Sequence, residues 1–360
     1  MNDISLKEER VYVMKKFEGF HRGVNLGGWL SQCGVGNYTK EHYDTFMIER
    51  DFALVKEWGL DHVRVPVDAE VIQEEDGRLK EDGLVYLDQC IAWCQKYGLH
   101  MILDLHKAHG YVFDDAENCQ FFYQEKLQDI FVELWAALAE RFGKYRDFLA
   151  LELLNEVTNR EFADPWNKIA ARAIKAIREK DSEIRIVVGG IFNDSIYGLT
   201  LLDPPADENI VFTFHCYSPL AFTHQGAHWV DRMPKDPEKW RFAYPGTVAA
   251  YKARSEEFFG HDFDSEYPDT LPEMMDGAYF ENLIQPALQI AAKYDVPLYC
   301  GEYGVIDQAD AKDALAWYKD MNSVLEKYGI PRAAWSHHSM NFGLADPWLD
   351  SVRAELVKYL

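Results

Sequence analysis

The chain has 360 residues, 48% of them apolar and 14% aromatic, which is enough material for one large core. Its 37 basic and 60 acidic side chains give a formal charge of −23, a surface field that repels phosphate backbones and anionic headgroups. Nucleic acid and acidic polymers are poor partners for such a surface, whereas neutral substrates stay open.

The first ten residues carry Asp3, Glu8 and Glu9 where a secretion signal wants bases, and no apolar run of about 7–15 residues follows. No stretch is long enough to span a membrane. The six cysteines (Cys33, Cys90, Cys94, Cys119, Cys216 and Cys300) lack C-x-x-C spacing, and several sit in apolar patterns, as buried free thiols do. A cytoplasmic protein with reduced cysteines is the expectation.

In chain order, the first apolar run is Val24 to Leu26. Helical patterns then close on a glycine three times, at Trp58-Gly59, Tyr97-Gly98 and Tyr328-Gly329, each suited to a left-handed cap. Before Gly98, Leu84, Leu87, Ile91 and Cys94 recur at steps of three and four. Before Gly329, Ala314, Tyr318, Met321, Leu325 and Tyr328 do the same. A short apolar run follows each glycine: Leu60 to Val65, Leu99 to Leu105 and Ile330 to Trp335. Phe148 to Leu154, Ile184 to Val188, Ile210 to Phe214 and Val296 to Cys300 complete a set of eight. These runs lack period-two alternation, as expected of parallel strands covered on both faces.

Eight strands alternating with helices predict an α/β fold, a closed (β/α)₈ TIM barrel over 1–360 as one catalytic domain. An open doubly wound sheet is the other candidate, but Gly23-Val24-Asn25-Leu26-Gly27-Gly28 has the wrong glycine spacing for its phosphate turn. The connection over 218–277, rich in Pro, Asp, Tyr and Trp, is too long for a loop and predicts an inserted subdomain between strand six and the next helix.

In such a barrel the C-terminal strand ends face the active-site mouth. Reading those ends gives Asn25, Arg64, His106, Asn155-Glu156, His215 with Tyr217, Glu302 and Trp335. Each alone has a structural explanation, as a helix cap, an ion pair or core. A ring of polar groups directly after buried runs nonetheless carries a desolvation cost that requires partners. The glutamates on strands four and seven face each other across the mouth, as retaining glycosidases require, with carboxyls about 5–5.5 Å apart. Asn155 could hold a sugar 2-hydroxyl, and Arg64 and Tyr217 could keep Glu302 ionised. Trp29, Trp229 and Trp335 are the candidate stacking surfaces for a sugar face, with a core role open for Trp29 and Trp229. Trp58, Trp93 and Trp135 lie within helix patterns and are expected in the core.

Twelve histidines, among them the pairs His106/His109, His224/His228 and His337/His338, raise a metal-dependent hydrolase as a rival. No His-x-His ends the first strand, and no metal or cofactor is expected. A sugar-binding protein that lost turnover is the non-enzyme rival, opposed by the presence of both carboxylates.

Arg after strand two, His after three, Asn-Glu after four, His-x-Tyr after six, Glu after seven and Trp after eight together resemble glycoside hydrolase family 5, the cellulase-type retaining barrels, along nearly the whole chain. The resemblance implies Glu156 as acid/base, Glu302 as nucleophile and Trp335 as sugar platform. Gly23 to Trp29, Phe222 to Trp229 and Tyr299 to Val305 are similar to compact bacterial endoglucanases of that family with a subdomain after strand six. It implies a β-linked glucan or oligosaccharide as substrate, cleaved internally at β-1,4 bonds. End-trimming and β-1,3-glucanase or mannanase action are the alternatives within the family. Lys107 and His109 after strand three, and His337 and His338 after strand eight, depart from the family wording and could alter specificity. The oligomeric state is not legible, and a monomer is the default.

Overall fold

The computed structural model describes residues 15–115, 119–260 and 272–360. Eight parallel strands close into a barrel in chain order: β1 (Arg22–Asn25), β2 (His62–Asp68), β3 (His100–Lys107), β4 (Leu149–Glu152), β5 (Arg185–Gly189), β6 (Ile210–Cys216), β7 (Leu298–Tyr303) and β8 (Arg332–Ala334). β1 pairs with both β2 and β8, which closes the ring. Nearly every strand residue is buried, because helices cover the outside and side chains fill the inside.

The glycine stops work as their spacing predicts. Gly59, Gly98 and Gly329 have φ of 76°, 62° and 63°, ending three helices and releasing the chain into β2, β3 and β8. In the helix Glu81–Tyr97, Leu84, Leu87, Ile91 and Cys94 are all buried. In the helix Ala311–Lys327 the inward stripe contains Ala314, Tyr318, Met321 and Leu325. Two strands are shorter than their apolar runs. β4 stops at Glu152 although Leu153 and Leu154 are buried, and Leu153 N and Asn155 N still bond Val187 O and Leu105 O beyond its end. The segment around Phe17 and Phe20 closes the opposite end of the barrel, packing on Ile102, Ala150, Val187, Val211, Tyr299 and Ala333.

Register is what brings the polar residues together. Asn25 lies beside Arg64, Asp104 beside Glu152, and His215 beside Glu302. Irregularities at Val67/Asp68, Phe214/His215 and between Cys300 and Tyr303 fall at the mouth, where a bulge re-aims a side chain.

Between β6 and β7 the described residues form the helices Leu220–Thr223, Pro237–Trp240, Val248–Phe259, Gly277–Leu283 and Gln285–Tyr294. Residues 261–271 of the predicted 218–277 insertion lie outside the described residues. The segment is tied to the barrel wall where Tyr244 bonds Asp313 and Asp320 of the helix Ala311–Lys327. All six cysteines are free thiols.

Candidate active site

Arg64, from the middle of β2, is fully buried and uses each of its five N–H donors. Nε and Nη2 bond the Glu152 carboxylate at 2.7 and 3.0 Å, Nη1 bonds Asn25 Oδ1 at 2.9 Å and Glu302 Oε1 at 2.7 Å, and Nη2 bonds Asn155 Oδ1 at 2.9 Å. Asp104 adds a carboxylate 3.1 Å away. One cation therefore faces three buried carboxylates from β3, β4 and β7. Burial pushes Asp104 up to about 7 against the pull of Arg64, and raises Glu152 as well.

Glu302 receives Arg64 on one oxygen and the Tyr217 hydroxyl, at 2.8 Å, on the other. Glu156 Oε1 shares a hydrogen bond with His215 Nδ1 at 2.8 Å, and Oε2 accepts from Asn193 Nδ2 at 3.3 Å. His215 Nδ1 is also 3.7 Å from Glu302, and one oxygen of each carboxyl lies within 4.8 Å of the other. Glu156 sits in left-handed backbone, φ 49°, unusual for a side-chain-bearing residue. Its side chain is the more open of the two, 13% exposed against 5% for Glu302.

Burial raises both carboxyls to about 7, opposed at Glu302 by His215, Arg64 and the Tyr217 hydrogen bond, and at Glu156 by Asn193 and Arg64. Desolvation thus outweighs the depression of Glu302 that its Arg64 contact alone leads one to expect. The pair holds about one proton near neutrality and titrates as a unit. Direct donation from Arg64 and Tyr217 favours the charged form of Glu302, so the proton belongs on Glu156. Burial holds His215 down at about 4, hence neutral at pH 7.

His106 bonds Asp104 through Nδ1 at 2.7 Å and stacks on Trp335 at 5.6 Å with the planes 5° apart. Gly27 makes room for that indole, since a Cβ there would lie 2.8 Å from it. The peptide Trp335–Ser336 is cis. Asn155 Nδ2 has no hydrogen-bond partner among the described residues, leaving a buried donor on the residue next to Glu156. A cleft of about 700 Å³ opens on the Glu156 side, lined by Phe192, Asn193, Tyr217, Trp229 and Phe259 among others, and Trp229 is 46% exposed there.

Two candidates stand away from the cleft. Trp29 is fully buried, its Nε1 donating to Tyr43 O and its ring stacked on Trp93, because the chain turns at Gly28 (φ 81°) and drives the indole between barrel and helices. Trp135 is fully buried as expected, and Trp58 and Trp93 pack partly buried on the core. Asn25 lies beneath the rim with its amide nitrogen committed to Gly301 O, Ala333 O and Ala334 O and its oxygen to Arg64, so it ties β1 to β7 and β8. Of the residues that depart from the family wording, His337 turns behind β8 onto Asp51 and Trp58, His109 is half-buried against the main chain at Gln73, and His338 packs on Phe46. Lys107 stays near the mouth, 3.8 Å from Asp68.

Asp104, Glu152, Asn193 and Asp194 belong to the site and were not singled out from sequence. Asp104 shares a strand face with His106 two residues on, and Glu152 interrupts a buried apolar run; both were readable signals of a buried ion pair. Among the described residues, the groupings of three possible metal ligands are Glu152–Asp194–His215 and Glu156–His215–Glu302; neither includes the other histidine pairs.

The chain matches the family model "Cellulase (glycosyl hydrolase family 5)" over residues 27–341. It is 40% identical to cellodextrinase A of Ruminococcus flavefaciens over 89% of this chain and 86% of that protein. It is 38% identical to endoglucanase C of Acetivibrio thermocellus over 95% of this chain and 98% of that one. Among solved structures, an endoglucanase of Thermotoga maritima superposes with a TM-score of 0.73 at 23% identity, covering 95% of this chain and 97% of that one, a likeness of fold. This chain belongs to glycoside hydrolase family 5, and it is a glycoside hydrolase.

Removing the guanidinium leaves Asp104, Glu152 and Glu302 buried without their cation. Their folded-state pKa values then rise further above the unfolded ones, a penalty that acts at high pH and fades as the carboxyls take up protons. Arg64→Met is therefore expected to lose about 3–5 kcal/mol of stability at pH 8 and clearly less at pH 5. Denaturant unfolding at the two pH values measures it, and an equal loss at both would contradict the charge account.

Proposed function

We propose that the enzyme cleaves β-1,4-glucans and cello-oligosaccharides with retention, Glu302 acting as nucleophile and Glu156 as acid and then base. The observation that carries this reading is the spacing: one oxygen of Glu156 within 4.8 Å of one of Glu302 suits direct attack, whereas an inverting pair stands about 6.5–9.5 Å apart to admit a water. In the first step Glu302 attacks the anomeric carbon while Glu156 gives its proton to the departing oxygen. In the second, Glu156 takes a proton from water, which displaces Glu302.

The environments support these roles. Arg64 and Tyr217 stabilise the charge on Glu302 before attack, and once Glu302 is esterified its charge no longer opposes ionisation of Glu156, which eases the change from acid to base. Asn155 Nδ2, without a partner among the described residues, can donate to a sugar hydroxyl; Trp335, 6% exposed and packed on Ala227, Ile306 and Phe342, lies flat against His106 with its remaining edge at the mouth, and Trp229 supplies an exposed face in the cleft beyond Glu156. The relatives named endoglucanase and cellodextrinase favour a glucan substrate.

Cello-oligosaccharides of defined length test the substrate. Internal cleavage giving cellobiose and cellotriose is expected, and release of single glucose units from one end alone would overturn the internal mode. The roles are tested by pH. Because burial lifts both carboxyls to about 7, kcat/KM should follow a bell with its optimum near neutrality. Glu156→Gln should lose the basic limb and keep the acidic limb, which reports Glu302. A basic limb surviving unchanged in that variant would remove Glu156 from the acid role.

A further inference from the structure

The turn after β5 carries three consecutive residues in left-handed backbone, Phe192, Asn193 and Asp194, at φ of 58°, 55° and 53°. Such backbone is unfavourable for side-chain-bearing residues and persists only where surrounding contacts enforce it. Four of the turn's hydrogen bonds run to the segment around Glu156. Phe192 N and Asn193 N donate to Thr158 O and Val157 O at 2.9 and 3.0 Å, Asn193 Nδ2 donates to Glu156 Oε2, and Asp194 Oδ2 accepts the Glu156 N–H at 2.9 Å. The turn grips a residue that is itself left-handed.

Asp194 is fully buried, with Glu156, Glu152, His215, Tyr111 and Arg64 as its charged or titratable neighbours. Its Oδ2 lies 3.7 Å from His215 Nε2, the nitrogen opposite the one that bonds Glu156. His215 Nε2 and Asp194 Oδ1 have no hydrogen-bond partner among the described residues. The carboxyl fits because β5 ends in glycine: a Cβ on Gly189 would lie 2.0 Å from Asp194 Oδ1.

We propose that Asp194 is a positioning residue for Glu156, fixing its main chain through the N–H and setting, through His215 Nε2, whether Nδ1 meets Glu156 as a donor or an acceptor. A neutral Asp194 carboxyl directed at Nε2 leaves the proton on Nδ1, which then donates to ionised Glu156. An ionised Asp194 draws the proton to Nε2, and the bare Nδ1 faces protonated Glu156. The two arrangements differ by one proton passed from Glu156 to Nδ1 and one from Nε2 to Asp194, with His215 neutral in both. Glu156, which also faces Glu302, Asp114, Asp104, Tyr111, Tyr217 and Arg64, can thus hold either its acid or its base form beside a neutral imidazole.

This inference rests on the acid/base reading of Glu156, so its test includes Glu156→Ala. Aryl β-cellobiosides with good (dinitrophenol) and poor (phenol) leaving groups are compared across pH for the parent, Asp194→Ala, Asp194→Asn and Glu156→Ala. Asp194→Ala should lose up to about a hundredfold in kcat on the poor leaving group, keep most of its rate on the good one, hold KM within a factor of about two, and shift the basic limb. The dinitrophenyl rate shows that the variant is folded. Asp194→Asn keeps an acceptor for the Glu156 N–H but cannot ionise. It should recover most of the rate while its basic limb stays displaced. Equal losses on both leaving groups with an unmoved basic limb in Asp194→Ala and Asp194→Asn would overturn the proposal, leaving Asp194 a folding role. If Glu156→Ala itself shows no dependence on the leaving group, the acid assignment fails and the proposal falls with it.

Discussion

The mouth of this barrel is organised around a guanidinium with no donor to spare. Arg64 holds Glu152 with two N–H groups, Asn25 and Asn155 with one each, and Glu302 with the last, while Asp104 stands at 3.1 Å. Lysine could not replace it, because an ammonium offers three donors from one point and cannot span residues delivered by β1, β3, β4 and β7 at once. Closing the sheet is what makes these strands converge, and the pairing of Asn25 with Arg64, Asp104 with Glu152 and His215 with Glu302 sets their heights.

That arrangement has an electrostatic consequence. Carboxylates outnumber cations inside the mouth, so charge is limited and protons are retained there at neutral pH. Glu302 and Glu156 compete for one proton, and hydrogen bonds decide the contest: two strong donors on Glu302, a neutral imidazole and an amide on Glu156. The same burial that lifts both carboxyls to about 7 sets the site to work where one is charged and the other is not.

Much of the fold was legible because parallel barrel strands are written as continuous apolar runs and three of the helices stop on glycines with positive φ. The rim residues were legible for a related reason: a ring of charged or amide side chains directly after buried runs carries a desolvation cost that only partners can offset. What sequence did not disclose depends on register and backbone. Trp29 and Trp335 both follow strand ends with glycines nearby, yet Gly28 turns one indole into the core while the space beside Gly27 admits the other at the mouth. Asn25 stands in sequence with the polar strand ends that face the mouth, but its amide is committed to carbonyls of β7 and β8, partners that exist only once the sheet closes. Asp194 was not legible because Asn193-Asp194 signals at most a turn, not a run of three left-handed residues that sets a buried carboxyl against Glu156.

The central claim is that Glu302 forms a covalent bond to the sugar while Glu156 handles the proton. A 2-deoxy-2-fluoro β-cellobioside with a dinitrophenolate leaving group slows breakdown of such an adduct, so the labelled protein can be digested and its peptides sequenced by mass spectrometry. The account predicts a single fluorosugar on Glu302, in the peptide containing Tyr299 to Val305. Label on Glu156, or a burst of dinitrophenolate with no labelled carboxyl, would contradict it.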